Sequence, residues 1–121
     1  MTAPPRDSAA RAATDLLAPL ASNIVYLQFQ GAVRRATMDS LRRELVAAGF
    51  TAPGVERIER EFTSAVRFFH ASDAALADSV ARMVQARLAA RGVRLPALPV
   101  QDLTRRRMPV PRGQLEVWVS P

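Results

Sequence analysis

The sequence predicts an α+β domain with a ferredoxin-like β-α-β-β-α-β order and an extra helix before it. The main observation is an internal repeat. An apolar segment at 24–29 and a helical stretch that stops at Gly49 are echoed by an apolar segment at 66–69 and a helical stretch that stops at Gly92. Two tandem strand-helix-strand units in one short chain predict a mostly antiparallel sheet backed by two helices on one face.

The residues ahead of the repeat are expected to be an addition to this domain. Residues 1–6 contain two adjacent prolines and resemble a disordered tail or linker. Asp7 or Ser8 can cap a helix over 7–21, whose apolar residues gather on one side. The single α+β domain is then expected over residues 22–120.

The first pseudo-repeat covers about residues 24–58. Strand 24–29 opens it, and apolar residues then recur at helical spacing from 34 to 48. Gly49 is a natural helix stop. A short strand follows at 55–58, and its charged neighbours indicate the edge of the sheet.

The second pseudo-repeat covers about residues 66–103. Its predicted elements are a strand at 65–70, a helix at 73–91 that Ser72 or Asp73 caps, and a short strand at 100–103. Gly92 stops this helix as Gly49 stops the first one. A closing strand at 114–120 ends the domain.

Alternation along the strands predicts which side chains face the helices. The residues expected to point inward are Val25, Leu27, Phe29, Val66, Phe68, Leu115, Val117 and Val119. The opposite face is expected to be free of the two repeat helices (the helix-free face), and it carries Tyr26, Gln28, Arg67, Phe69, Glu116 and Trp118. Three aromatic rings on that face imply that the extra helix covers them, that a homodimer buries them, or that they form a platform for a ligand or partner.

Composition limits the classes of function. At 121 residues the chain is long enough for one domain, and the absence of cysteine excludes disulfides, thiol catalysis and cysteine-ligated metals. The net charge of +6 comes from 17 basic residues, all of them arginine. Arginine without lysine, beside abundant alanine, is typical of a GC-rich bacterial genome; the alternative is selection for binding a polyanion.

No pattern for catalysis is evident. His70 is the only histidine, and its neighbours Ser72 and Asp73 suit a capping turn better than a line of nucleophile, base and orienting group. Metalloprotease, P-loop and dinucleotide-binding motifs are absent. We therefore expect a non-catalytic protein without a metal or cofactor.

A basic loop is the second candidate site. Arg105, Arg106, Arg107 and Arg112 lie in a proline-containing connection before the closing strand. Fixed cations on a loop can bind phosphate, but they are also what a solvated connection contains in an arginine-only chain.

The longest apolar stretch near the start, residues 16–20, contains a proline and follows charged residues, so it matches neither a signal peptide nor a membrane span. The chain as given is expected in the cytoplasm, or in the periplasm if it is a domain of an exported protein.

Two short segments carry a family resemblance. Val25-Tyr-Leu-Gln-Phe29 and Ala65-Val-Arg-Phe-Phe69 open the two units, and this order is similar to bacterial cell-envelope modules such as the sporulation-related repeat (SPOR) domain and the LytR C-terminal domain. The resemblance implies binding of envelope glycan strands on one sheet face, with Tyr26, Gln28 and Phe69 in contact.

The ending Leu115-Glu-Val-Trp-Val119 also resembles non-catalytic C-terminal segments of bacterial caspase-like and other multidomain peptidases. Both resemblances imply an accessory module that binds a partner protein or a glycan through the helix-free face. The alternative is binding of single-stranded nucleic acid, because RNA-recognition folds combine sheet aromatics with basic loops.

Overall fold

The computed structural model describes residues 23–121, so the predicted linker and the predicted helix 7–21 lie outside the described residues. Within them, five strands form one mixed sheet and two helices pack against it. In chain order the elements are β1 (Ile24–Phe29), α1 (Arg35–Ala47), β2 (Val55–Arg57), β3 (Ala65–Phe68), α2 (Ala74–Ala90), β4 (Val100–Asp102) and β5 (Gln114–Val119). The predicted α+β class is therefore confirmed, and the order strand-helix-strand occurs twice before β5.

The strands lie in the order β2-β1-β5-β3-β4. β1 is parallel to β2, and β3 is parallel to β4, so the two strands of each unit are direct neighbours. β5 lies between the units, parallel to β1 and antiparallel to β3. The last strand of the chain is thus the centre of the sheet.

This order corrects two expectations. Three of the four strand pairings among the described residues are parallel, so the expectation of a mostly antiparallel sheet is wrong. The ferredoxin-like arrangement is not confirmed either, because that fold separates the strands of each unit by another strand, whereas here they pair directly. The physical reason is that β5 occupies the place between β1 and β3.

The two helices end in the same way, as the repeated glycines predict. Gly49 and Gly92 both have positive φ values, 103° and 82°. The N–H of Phe50 donates to the Leu45 carbonyl (3.0 Å), and the N–H of Val93 donates to the Leu88 carbonyl (2.9 Å). Both are the long hydrogen bond of a Schellman motif, in which a left-handed residue turns the chain back over the helix end.

Both helices lie on the same face of the sheet. α1 and α2 contact each other, and both contribute to the single large apolar cluster that also contains the inward-facing strand residues. The eight side chains predicted to face inward, and Leu41, Leu45, Val80, Val84 and Leu88 from the helices, are all buried. The set of strand side chains that alternation predicted to face the helices is therefore confirmed.

Candidate binding site on the helix-free face

Strand register brings most of the predicted contact residues together. Tyr26 pairs with Glu116, which pairs with Arg67, which pairs with Gln101, so these residues form one row across the sheet. Gln28 pairs with Trp118 on one side and with Glu56 on the other, which gives a second row. Paired residues of neighbouring strands present their side chains on the same face.

The first row is linked by hydrogen bonds and an ion pair. Arg67 Nε donates to Gln101 Oε1 (2.8 Å), and its Nη1 lies 3.7 Å from Glu116 Oε1. The same carboxylate oxygen accepts a hydrogen bond from Trp118 Nε1 (3.0 Å). Arg67 and Glu116 are therefore already paired within the described chain.

Trp118 is not an open platform. Its ring meets the ring of Phe62 edge to face, with centroids 5.0 Å apart. The Arg67 guanidinium lies 4.5 Å from the Trp118 ring centroid, and that of Arg60 lies 5.8 Å away, both within cation–π range. Only 8% of Trp118 is exposed.

The other two aromatic residues of this face differ in exposure. Phe69, just past the end of β3, is buried although it lies outside the main apolar cluster. Tyr26 is 36% exposed. The accessible aromatic surface of the predicted site is therefore at β1.

Beside Tyr26, a depression of about 290 Å³ follows the junction of β1 and β2. Its lining includes Gln28, Gly54 and Glu56. A Cβ added to Gly54 would meet no atom within 4 Å, so this glycine leaves open space opposite the strand. The depression thus has an aromatic ring, an amide and a carboxylate around it.

Gln28 Oε1 is the one buried side-chain oxygen or nitrogen of the described residues that has no hydrogen-bond partner. Leaving such a group unsatisfied costs about 1–3 kcal/mol, and most buried polar groups are paired. Depressions of similar size occur elsewhere, such as one of about 400 Å³ between Val33 and Val93, but no unsatisfied buried polar atom belongs to them within the described chain. The junction of β1 and β2 is therefore the best candidate for a binding site.

The charged groups around this junction divide between the two faces of the sheet. Arg35 and Arg57 both lie over the Phe29 ring, on the helix side, at 5.4 and 4.5 Å from its centroid. Arg35 also donates to the outer carbonyl of Val55 (3.2 Å), which protects the β2 edge. Glu56 is the charged residue that lines the depression itself.

The basic loop is exposed. Arg105, Arg106 and Arg107 follow β4 in a 3-10 turn that ends with Arg107 in the left-handed region, at φ 48°. The side chains of Arg106 and Arg107 make no hydrogen bond or ion pair with other described residues. Hydrogen bonds from the Thr104 side chain and backbone lower the pKa of Asp102 at the start of this turn, with a smaller contribution from the Arg105 charge.

His70 and Asp73 attach the end of the basic loop to the start of α2. His70 Nε2 contacts the Val110 carbonyl, and the Asp73 carboxylate accepts a hydrogen bond from the Gly113 N–H (2.7 Å). Asp73 is the N-cap residue of α2, one of the two predicted positions, but its side chain makes no capping hydrogen bond. Its carboxylate instead binds the backbone at Gly113, the residue just before β5.

No group of three or more His, Cys, Asp or Glu side chains among residues 23–121 is placed to hold a metal ion. No helix in the same range is long and apolar enough to cross a membrane.

Comparison with known proteins gives no match to a family model, to a curated protein or to a solved structure.

Sequence reasoning missed two parts of this face. Glu56 joins the site because of the β1–β2 register, and Phe62 covers Trp118 from the connection between β2 and β3. Register between strands from the same unit depends on loop geometry and helix packing, which alternation alone does not specify. The signal available was the short Pro53-Gly54 turn before β2, which limits where that strand can begin.

Proposed function

We propose that this chain is a non-catalytic binding module that contacts a partner protein through the β1–β2 part of its helix-free face. The observation that carries the proposal is the buried, unsatisfied Oε1 of Gln28 beside the exposed ring of Tyr26. That oxygen is inaccessible as it stands, and a turn of the Gln28 amide toward the depression would let a donor from a partner satisfy it. Tyrosine at the rim of a depression is a frequent anchor of protein interfaces.

A protein is favoured over a cell-envelope glycan by the state of the aromatic rings. A sugar ring needs an accessible aromatic face for stacking, and here Trp118 is covered by Phe62 and Arg67 while Phe69 is buried. One exposed ring remains, at Tyr26. Glycan binding, which the resemblance to SPOR domains implies, would have to use that single ring.

Site-specific photocrosslinking tests the proposal. p-Benzoylphenylalanine at position 26 should give a discrete protein adduct when the chain is irradiated in its native cells. The matched control is the same group at Val46, which is 47% exposed on α1, on the other side of the sheet. An identical adduct pattern at both positions, or no adduct at position 26, would contradict the proposal.

Binding of single-stranded nucleic acid is the second candidate, and the exposed Arg106 and Arg107 favour it. If these side chains bind phosphates, affinity for a labelled oligonucleotide should fall steeply between low and physiological salt. Replacing both with alanine should flatten the slope of log affinity against log salt by about 0.7 for each lost contact. Absence of binding at low salt would exclude this candidate.

A further inference from the structure

The junction of β1 and β2 has a chemistry that selects among partner groups. Gln28 and Glu56 are register partners on parallel strands, so an amide oxygen and a carboxylate stand side by side on the helix-free face. Neither side chain makes a hydrogen bond or ion pair with another described residue through these oxygens. Glu56 is exposed and offers acceptors and a negative charge to whatever enters the depression, whereas Gln28 Oε1 is buried and becomes accessible only if its amide turns outward.

The aromatic ring completes the arrangement. Tyr26 lies two residues before Gln28 on the same strand, and therefore on the same face, with its ring at the rim of the depression. Gly54 lines the same depression without a side chain, and the space that a Cβ would occupy there is open. An aromatic face beside acceptor oxygens is the environment in which a cation gains both a cation–π contact and charge-assisted hydrogen bonds.

The surrounding charges favour the same class of ligand. Arg35 and Arg57 are directed to the Phe29 ring on the helix side. Arg60 and Arg67, on the helix-free face, are held over the Trp118 ring. Glu56 therefore faces the depression without a basic neighbour among the residues that line it. On a chain of net charge +6, this is a local acidic position that attracts a cation.

We infer that the depression binds an arginine side chain of the partner protein, with the guanidinium over Tyr26 and its N–H groups donating to the exposed carboxylate of Glu56. Arginine fits better than lysine because its planar fork supplies several donors at fixed angles and stacks on aromatic rings. This inference rests on the proposed function, because it names the partner group that the β1–β2 site recognises.

Titration of the full chain, labelled with ¹⁵N, tests the inference. The probes are three capped pentapeptides with glycine at four positions and arginine, lysine or citrulline at the centre. The arginine peptide should shift the resonances of Tyr26, Gln28, Gly54 and Glu56 at millimolar concentration. Citrulline keeps the shape without the charge, so its affinity should be lower by roughly threefold or more, the range expected for loss of an exposed cation–π contact.

Glu56→Gln removes the charge at an exposed position and should weaken arginine-peptide binding about two- to fivefold, as for an exposed ion pair. Glu59→Gln is the matched control, because Glu59 is an exposed carboxylate outside the depression, and it should change affinity by less than about twofold.

Equal binding of arginine and citrulline peptides, or shifts confined to other residues, would overturn the inference. A crosslink at position 26 combined with no response to the arginine peptide would overturn this inference alone. Absence of the crosslink would instead overturn the proposed function.

Discussion

At the scale of single residues, burial determines which side chains matter for stability. Leu45 and Val46 are neighbours on α1, yet Leu45 is fully buried and Val46 is 47% exposed. Leu45 packs in the apolar cluster between α1 and the sheet, and its carbonyl also accepts the hydrogen bond that ends the helix. The pair therefore provides a matched comparison within one turn.

We predict that Leu45→Ala lowers the free energy of unfolding by about 2–5 kcal/mol, because it leaves a cavity in the core. Val46→Ala should change it by no more than about 0.5 kcal/mol. Urea unfolding of the full chain measures both values. Similar losses for the two variants would mean that the assigned faces of α1 are wrong.

Asp73 provides a second prediction at this scale. Its buried carboxylate accepts the Gly113 N–H, so Asp73→Ala should cost about 1–3 kcal/mol by leaving that donor without a partner. Asp73→Asn keeps an acceptor oxygen and should cost less. The control is Asp78→Ala, at an exposed position of α2, with an expected change within about 0.5 kcal/mol. A loss for Asp78→Ala as large as that for Asp73→Ala would contradict the anchoring role.

At the scale of elements, the two helices are joined on the surface by one acidic residue. Glu44 of α1 contacts two arginines at the end of α2: its Oε1 accepts from Arg91 Nη2 (2.7 Å), and its Oε2 lies 3.3 Å from Arg87 Nε. All three side chains are partly exposed, so the ion pairs are screened by solvent and salt.

A double-mutant cycle between Glu44→Gln and Arg91→Met should give a coupling energy of about 0.2–1 kcal/mol that decreases at high salt. The same cycle with Arg82→Met, at an exposed position of α2 away from Glu44, should give a coupling near zero. A coupling with Arg91 that does not respond to salt would show that packing, rather than charge, joins the helices.

The elements were more predictable from the sequence than their arrangement. Alternation in 24–29 and 114–120 and the glycines after each helix are local signals, and the structure has strands and helix stops at those places. The central position of β5 depends on which strands pair over long distances in the chain, and nothing in its alternation specifies a neighbour. For the same reason the sequence predicts the same exposure for the rings of Tyr26 and Trp118. In the structure Trp118 is covered because Phe62 and Arg67 contact its ring.

At the scale of the whole molecule, one face of the sheet packs on both helices. The two halves of the other face differ in how far their side chains are already engaged in contacts within the chain. The half of the second face around Trp118 is occupied by its own ion pairs and ring contacts. The half around Tyr26 keeps a depression, and there Gln28 Oε1 and the Glu56 carboxylate have no hydrogen-bond or ion-pair partner among residues 23–121. The central claim is that this second half is where a partner binds.

Nitration of Tyr26 tests that claim most directly, because the chain contains a single tyrosine and any nitrotyrosine detected by mass spectrometry is assigned without ambiguity. We expect tetranitromethane to nitrate Tyr26 readily in the purified chain and several times more slowly in an extract of its native cells, where the partner is present. Equal rates of nitration in the purified chain and in the extract would mean that no partner covers Tyr26.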